Sequence, residues 1–138
     1  MTDGKAQETR YEQILGEDNL DISEESLNVY RSYLQKNIVL PCELTGIEDF
    51  SWEEFYIFGP GDKKEYEELK KTRPSHRDVF TIISFVELID DDAGLMVKVK
   101  RISDRKQFVL PLADLKATNI NSRNYQLIVD YEVWYVTY

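Results

Sequence analysis

The stretch from Val79 to Leu110 restricts the fold most. Val79 to Ile89 is dominated by β-branched and aromatic residues, Leu95 to Ile102 alternates through Val97-Lys98-Val99-Lys100, and Gln107 to Leu110 is again β-prone. Asp90-Asp91-Asp92-Ala93-Gly94 and Ser103-Asp104-Arg105-Lys106 separate them with small polar residues that favour turns. Three consecutive strands joined by short turns make a meander. Ile38 to Leu44, limited by Pro41 to an edge strand or a strand start, and Trp52 to Phe58 are expected to add two more strands. The fold class expected is α+β: a small curved antiparallel sheet or SH3-like barrel, flanked by an N-terminal and a C-terminal helix.

The N-terminal helix opens at Ser23, a good N-cap, with Glu24 and Glu25 in the first turn where the helix dipole favours acids. Ile22 and Leu27 are spaced as a hydrophobic staple around that cap. Leu27, Tyr30 and Leu34 recur at helical spacing, and Lys36 and Asn37 suit the end. Before it, residues 1–20 read as a flexible segment with a weak helical stretch around Tyr11 to Leu15, and 21–138 as one globular domain. Gly59-Pro60-Gly61-Asp62 is a turn, Asp62 to Lys71 a short exposed helix, and Thr72 to Asp78 a basic loop. The C-terminal helix begins near Ser122 or Asn124, capped by Asn121 or Ser122, and runs to Tyr135. It puts Leu127, Ile128, Tyr131 and Trp134 on one face, and the β-prone end from Val133 to Tyr138 could finish as an extended tail.

With 138 residues, 42% of them hydrophobic and 12% aromatic, the chain can build one core without disulfides. Cys42 is the lone cysteine and His76 the lone histidine, so no cysteine-based zinc site can form. No apolar run is long enough to span a bilayer, and Met1 to Gly16 lacks the apolar centre of a signal peptide. A cytoplasmic chain without a membrane partner is the expectation. The 26 acidic residues outnumber 17 basic ones, for a formal net charge of −9. Phosphate backbones repel such a surface, which argues against nucleic acid and for cations or basic protein surfaces. Nothing in the spacing supports Cys42 and His76 as a catalytic pair, and no phosphate loop, His-Glu-x-x-His or nucleophile elbow is present. The chain is read as a non-enzyme.

Two acidic clusters are candidate metal ligands. Asp90, Asp91 and Asp92 occupy the hairpin loop, where a turn lets neighbouring carboxylates converge, although the register is not that of an EF-hand. Glu43, Glu48, Asp49, Glu53 and Glu54 form a run without intervening Lys or Arg; Glu48, Asp49 and Glu53 are its chosen ligands. Both clusters have a plainer reading, as a solvated turn and a solvated connection.

The last third carries a resemblance. Phe108-Val109-Leu110-Pro111-Leu112-Ala113-Asp114-Leu115 reads as a strand entering a short turn of helix, and Asp130-Tyr131-Glu132-Val133-Trp134 follows on a second apolar pattern. Together they resemble the closing segment of the cyanobacterial calcium-binding protein family, in which a Val-Pro-Leu-x-x-Leu-like strand end precedes a helix with Asp-Trp/Tyr-x-x-Trp. The resemblance implies a small, acidic, cytoplasmic calcium buffer of low affinity that binds through surface acidic clusters. It makes Pro111, Asp130, Tyr131 and Trp134 structural anchors. Asp130 could also lend an oxygen to a site at the Asp90 loop. The alternative is a non-enzymatic interaction module, of adaptor or immunity type, whose acidic face docks a basic protein. Metal binding needs at least three converging carboxylates, whereas docking needs only a broad negative face.

Overall fold

Ser23 caps its helix reciprocally with Ser26. The Ser26 amide donates to Ser23 Oγ at 3.0 Å while the Ser23 amide donates to Ser26 Oγ at 2.9 Å. The computed structural model, which describes residues 2–89 and 92–138, places α2 from that cap over Glu24–Asn37, with Leu27, Tyr30 and Leu34 buried. Ahead of it, α1 covers Thr2–Leu15, well beyond the weak stretch that local pattern suggests. The helix is held from outside. Tyr11 is buried and its Oη donates to the Asp130 carbonyl at 2.7 Å, while Arg10 and Gln7 donate to the Asp130 carboxylate. Tertiary packing commonly supplies helical stability that propensity lacks.

Five strands follow: β1 (Glu43–Gly46), β2 (Phe80–Phe85), β3 (Met96–Arg101), β4 (Gln107–Pro111) and β5 (Leu115–Ala117). Their order is β4-β3-β2-β1-β5 and every neighbouring pair is antiparallel. The meander is as expected. The sheet is open, with β4 and β5 at its edges, so of the two architectures read from the sequence the barrel is not formed. β1 lies between β2 and β5, inside the sheet, and Pro41 precedes it. Of the two places Pro41 allowed, the edge is not used: Pro41 stands two residues ahead of β1, where its missing amide is not needed by the ladder.

The largest correction is at Trp52 to Phe58, expected as a strand. Ser51–Ile57 is a helix, α3. Trp52 and Tyr56, one helical turn apart, meet edge-on with centroids 6.1 Å apart, and Glu53 folds back to accept from the Phe50 amide at 3.1 Å. A strand would send Trp52 and Glu53 to opposite faces and lose that cap. The fifth strand comes instead from Leu115–Ala117, with Leu44 paired to Ala117. The short helix expected after Asp62 is α4 (Lys63–Leu69), capped by Asp62. Between β4 and β5, Leu112–Asp114 makes one 3-10 turn.

The final helix, α5 (Arg123–Thr137), is capped by Ser122, whose Oγ accepts from the Tyr125 amide at 3.1 Å. It continues through the segment that could have ended extended, and buries Leu127, Ile128, Tyr131 and Trp134. Tyr131 Oη accepts from the Leu95 amide at 2.8 Å. Gly94 (φ +72°) makes this approach possible, since a Cβ there would lie 2.5 Å from that hydroxyl. Among the described residues no helix is long and apolar enough to cross a membrane.

A buried arginine fastens the α4 corner to the sheet. Arg101 donates to the carbonyls of Lys70, Lys71 and Arg73 and to the carboxylates of Asp78 and Asp104. Lysine keeps the charge but presents a single ammonium in place of the guanidinium fork. Arg101→Lys is expected to lower stability by about 2 kcal/mol, read as a lower urea midpoint. An unchanged midpoint would mean that this corner is held by other contacts.

Candidate functional site

Four separate stretches of chain bring acids to one cleft of about 410 Å³. The loop after β1 supplies Glu48 and Asp49 and α3 supplies Glu54; the 3-10 turn supplies Asp114, α5 supplies Glu132, and Asp92 closes the set. The juxtaposition is built by backbone. The Ile47 amide donates to the Asp114 carbonyl at 3.0 Å, which fixes the β1 loop on the 3-10 turn. The Leu112 amide donates to the Leu95 carbonyl at 2.9 Å, which fixes that turn on the start of β3. Glu132 shares its helix face with Tyr135 and Val136, which also line the cleft, at the i+3 and i+4 spacing. No Lys or Arg is among the described lining residues.

Crowding of like charge shows in the titration of two members. Burial, and then the negative field of Glu48, push the Asp114 carboxyl above its ordinary range. The same two causes, in the same order, raise Glu132. Both shifts penalise the ionised form, and a bound cation would reverse the penalty. The donor set suits a hard cation that prefers carboxylate, hydroxyl and water oxygens. Among the described residues, however, no group of three or more Asp, Glu, His or Cys already surrounds a single point as a metal cage does.

Of the six ligands chosen from the sequence, Glu48, Asp49 and Asp92 line this cleft, and Asp90 and Asp91 lie outside the described residues. Glu53 points elsewhere. Its side chain is fully buried, accepting from Tyr66 Oη and Ser75 Oγ at 2.7 Å each, from the His76 amide at 2.8 Å and from the Phe50 amide at 3.1 Å. Burial alone would raise this carboxyl, but those bonds outweigh it and hold it at about 2. His76 bridges this buried acid to the cleft, with Nδ1 3.0 Å from Glu53 Oε1 and Nε2 3.5 Å from Asp49 Oδ1.

Pro111 lines the cleft at the end of β4. Tyr131 and Trp134 are buried in the core, and Asp130 faces α1, paired with Arg10 at 2.6 Å in a different pocket. Glu43, in the same acidic run, sits on β1 and accepts from Thr118 Oγ1. Asp114 and Glu132 are the residues that sequence reasoning missed as ligands. Both stand inside the two segments, Pro111 to Leu115 and Asp130 to Trp134, that carry the resemblance, so the signal was adjacent to them.

No protein-family model matches the sequence, and no curated protein matches it. Solved structures do match. The crystal structure of Anabaena CcbP aligns with a TM-score of 0.62 at 15% identity, covering 94% of this chain and 89% of that one. A calcium-binding protein in its calcium-binding form aligns with a TM-score of 0.60 at 16% identity, covering 96% of this chain and 90% of that one. Over nearly its whole length, this chain is therefore similar in fold to Anabaena CcbP and to that calcium-binding protein.

Proposed function

We propose that the protein is a non-enzymatic, cytoplasmic calcium buffer that binds the ion weakly in the acidic cleft. The observation that carries this reading is the crowding of Glu48, Asp114 and Glu132, with the last two carboxyls raised and no base lining the cleft. The fold shared with calcium-binding proteins supports it. Glu48, Asp49 and Asp92 are the ligands taken over from the sequence, with Asp114 and Glu132 added; Asp90 and Asp91 remain candidates on the sequence alone. Glu53 is assigned to holding the loop that carries Asp49. Because the acids do not yet converge, the site is poorly preorganised, and an affinity of about 10⁻⁵–10⁻³ M is expected. Magnesium should compete badly, since it demands a tight octahedron.

Calcium titration by calorimetry, with magnesium as control, tests the reading. Asp114→Asn with Glu132→Gln should remove most of the calcium heat while leaving the urea midpoint unchanged or higher, because two penalised charges are gone. The raised carboxyls also set a sign for pH. As pH falls through their range they gain protons that calcium must displace, so affinity should drop on acidification and proton release accompany binding. Absence of calcium heat at millimolar ion would sink the buffer. The second reading, an acidic module docking a basic protein, is favoured by one observation: among the described residues no three acids converge as a metal cage.

A further inference from the structure

In a chain with 26 acidic residues, β2, β3 and β4 hold neither Asp nor Glu. Between Ala93 and Ala113 the sole acid is Asp104, against Lys98, Lys100, Arg101, Arg105 and Lys106. Asp104 is committed to Arg101 at 2.7 Å. Val97, Val99 and Arg101 are buried on the inner face of the sheet, so Lys98 and Lys100 between them turn to the outer one. Lys98 stands between Ser84 of β2 and Val109 of β4, and Lys100 between Thr81 and Gln107. Neither lysine forms an ion pair among the described residues. The outer face of the meander is therefore basic, although the chain as a whole carries −9.

The patch borders an open edge. β4 ends the sheet. The Leu112 amide donates to the Leu95 carbonyl and the Arg101 amide to the Lys106 carbonyl. By the two-residue alternation of an antiparallel ladder, the backbone groups of Phe108 and Leu110 face β3 and those of Gln107 and Val109 face away from it. Among the described residues no hydrogen bond reaches the Gln107 or Val109 amide. Val109 is 51% exposed and Gln107 is exposed as well.

Charge and shape together select the occupant. A basic face calls for an anionic one. Pro111, at the end of β4, already lines the acidic cleft, so a bilayer or a duplex wide enough to cover the patch would also meet those carboxylates. Single-stranded nucleic acid is narrow enough, but it needs rings to stack on, and the outward positions Thr81, Ser84, Lys98, Lys100, Gln107 and Val109 include no aromatic residue. An extended peptide is one strand wide and can bond the free edge. Its alternate side chains repeat every ~7 Å on one face, which is also the spacing of Lys98 and Lys100 along β3. The flexible stems of lysine and glutamate span the roughly 10 Å between β3 and a strand added beyond β4.

We propose that the β4 edge and the Lys98–Lys100 face dock an acidic protein segment in extended form, which adds a sixth strand to the sheet and sets alternate carboxylates toward the two lysines.

The probe is a labelled peptide of alternating Glu and Thr, titrated with the full chain up to about 1 mM in low salt with a chelator and followed by fluorescence anisotropy. It should bind, and added salt should weaken it. Lys98→Gln with Lys100→Gln should weaken binding about tenfold, the sum of two exposed ion pairs, while keeping a urea midpoint close to wild type. Two methylated peptides separate strand addition from simple attraction, and both use the wild-type chain. Methylating the amides of one alternate set should weaken binding at least about tenfold and methylating the other should not, because only one set faces β4. Equal binding by the two methylated peptides overturns the proposal. So does a lysine double variant that binds as well as wild type, or the absence of binding at the highest concentration. Phosphatidylserine vesicles or oligothymidine that bind more tightly than the peptide, and lose that binding in the double variant, would assign the face to lipid or nucleic acid instead and overturn it too.

Discussion

Glu53→Ala is expected to destabilise the protein by about 3–5 kcal/mol, a large part of the roughly 5–15 kcal/mol that a domain of this size has. The carboxylate is fully buried and gathers the Phe50 amide, the His76 amide and ring, Ser75 Oγ and Tyr66 Oη around two oxygens. Alanine leaves all of these donors without their acceptor, and those that are buried, at Phe50 and Ser75, cost about 1–3 kcal/mol each before relaxation. It also frees α3 from α4 and from the loop carrying His76. Glu53→Gln separates charge from shape. Its amide oxygen can replace Oε1 toward the two backbone amides, and its NH₂ can donate to Ser75 and Tyr66 once their hydroxyls turn. The glutamine variant should lose only about 1–2 kcal/mol. A wild-type urea midpoint for Glu53→Ala would mean that the network holds nothing.

The same residue sets the acid limit. Hydrogen bonding lowers the carboxyl from 4.5 to about 2 against the opposing effect of burial. A depressed carboxyl contributes stability that is fully present above the unfolded value and is lost as pH falls toward the folded one. Between pH 4.5 and about 2, the wild-type chain should therefore lose about 3 kcal/mol through this group. Glu53→Gln should show a correspondingly shallower acid transition.

What the sequence made legible was local. The Ser23 cap and the Leu27, Tyr30 and Leu34 stripe specify α2 within a few residues, and alternation through Val97 and Val99 specifies β3. What escaped was non-local. Arg10 and Gln7 anchor α1 to an aspartate 120 and 123 positions away, which no window along the chain can register. β5 has three residues and becomes a strand only because β1 is there to pair with it. Trp52 to Phe58 is rich in aromatic residues that suit strands, and its helix is settled by the inward turn of Glu53 and the contact of Trp52 with Tyr56. The site divides in the same way. Acid density marked Glu48, Asp49 and Asp92, but density alone does not say which carboxylate of a run turns inward. Asp114 and Glu132 meet Glu48 through a backbone bond at Ile47 and the phase of α5, both products of the finished fold.

Trp134→Ala should cost about 3–5 kcal/mol, the penalty for deleting a large buried ring. Trp134 is wholly buried, its ring 5.0 Å from Tyr30 and 5.9 Å from Tyr131, and its Nε1 donates to the Leu20 carbonyl at 2.8 Å. That last bond ties the segment between α1 and α2 to α5, so alanine both opens a cavity and orphans a carbonyl. Trp134→Phe keeps much of the ring contact but loses the bond, and should cost about half as much. Val136→Ser, at a position 70% exposed on the same helix, should be close to neutral and serves as the control. Ending the chain before Asp130 goes further. It removes Tyr131, Trp134 and the aspartate that holds Arg10, Gln7 and, through its carbonyl, Tyr11. Cooperative unfolding should then disappear, followed by circular dichroism in urea with Trp52 fluorescence as a second probe. A truncated chain that unfolds in one sharp transition at the wild-type midpoint would show that the end of α5 rests on the core without supporting it.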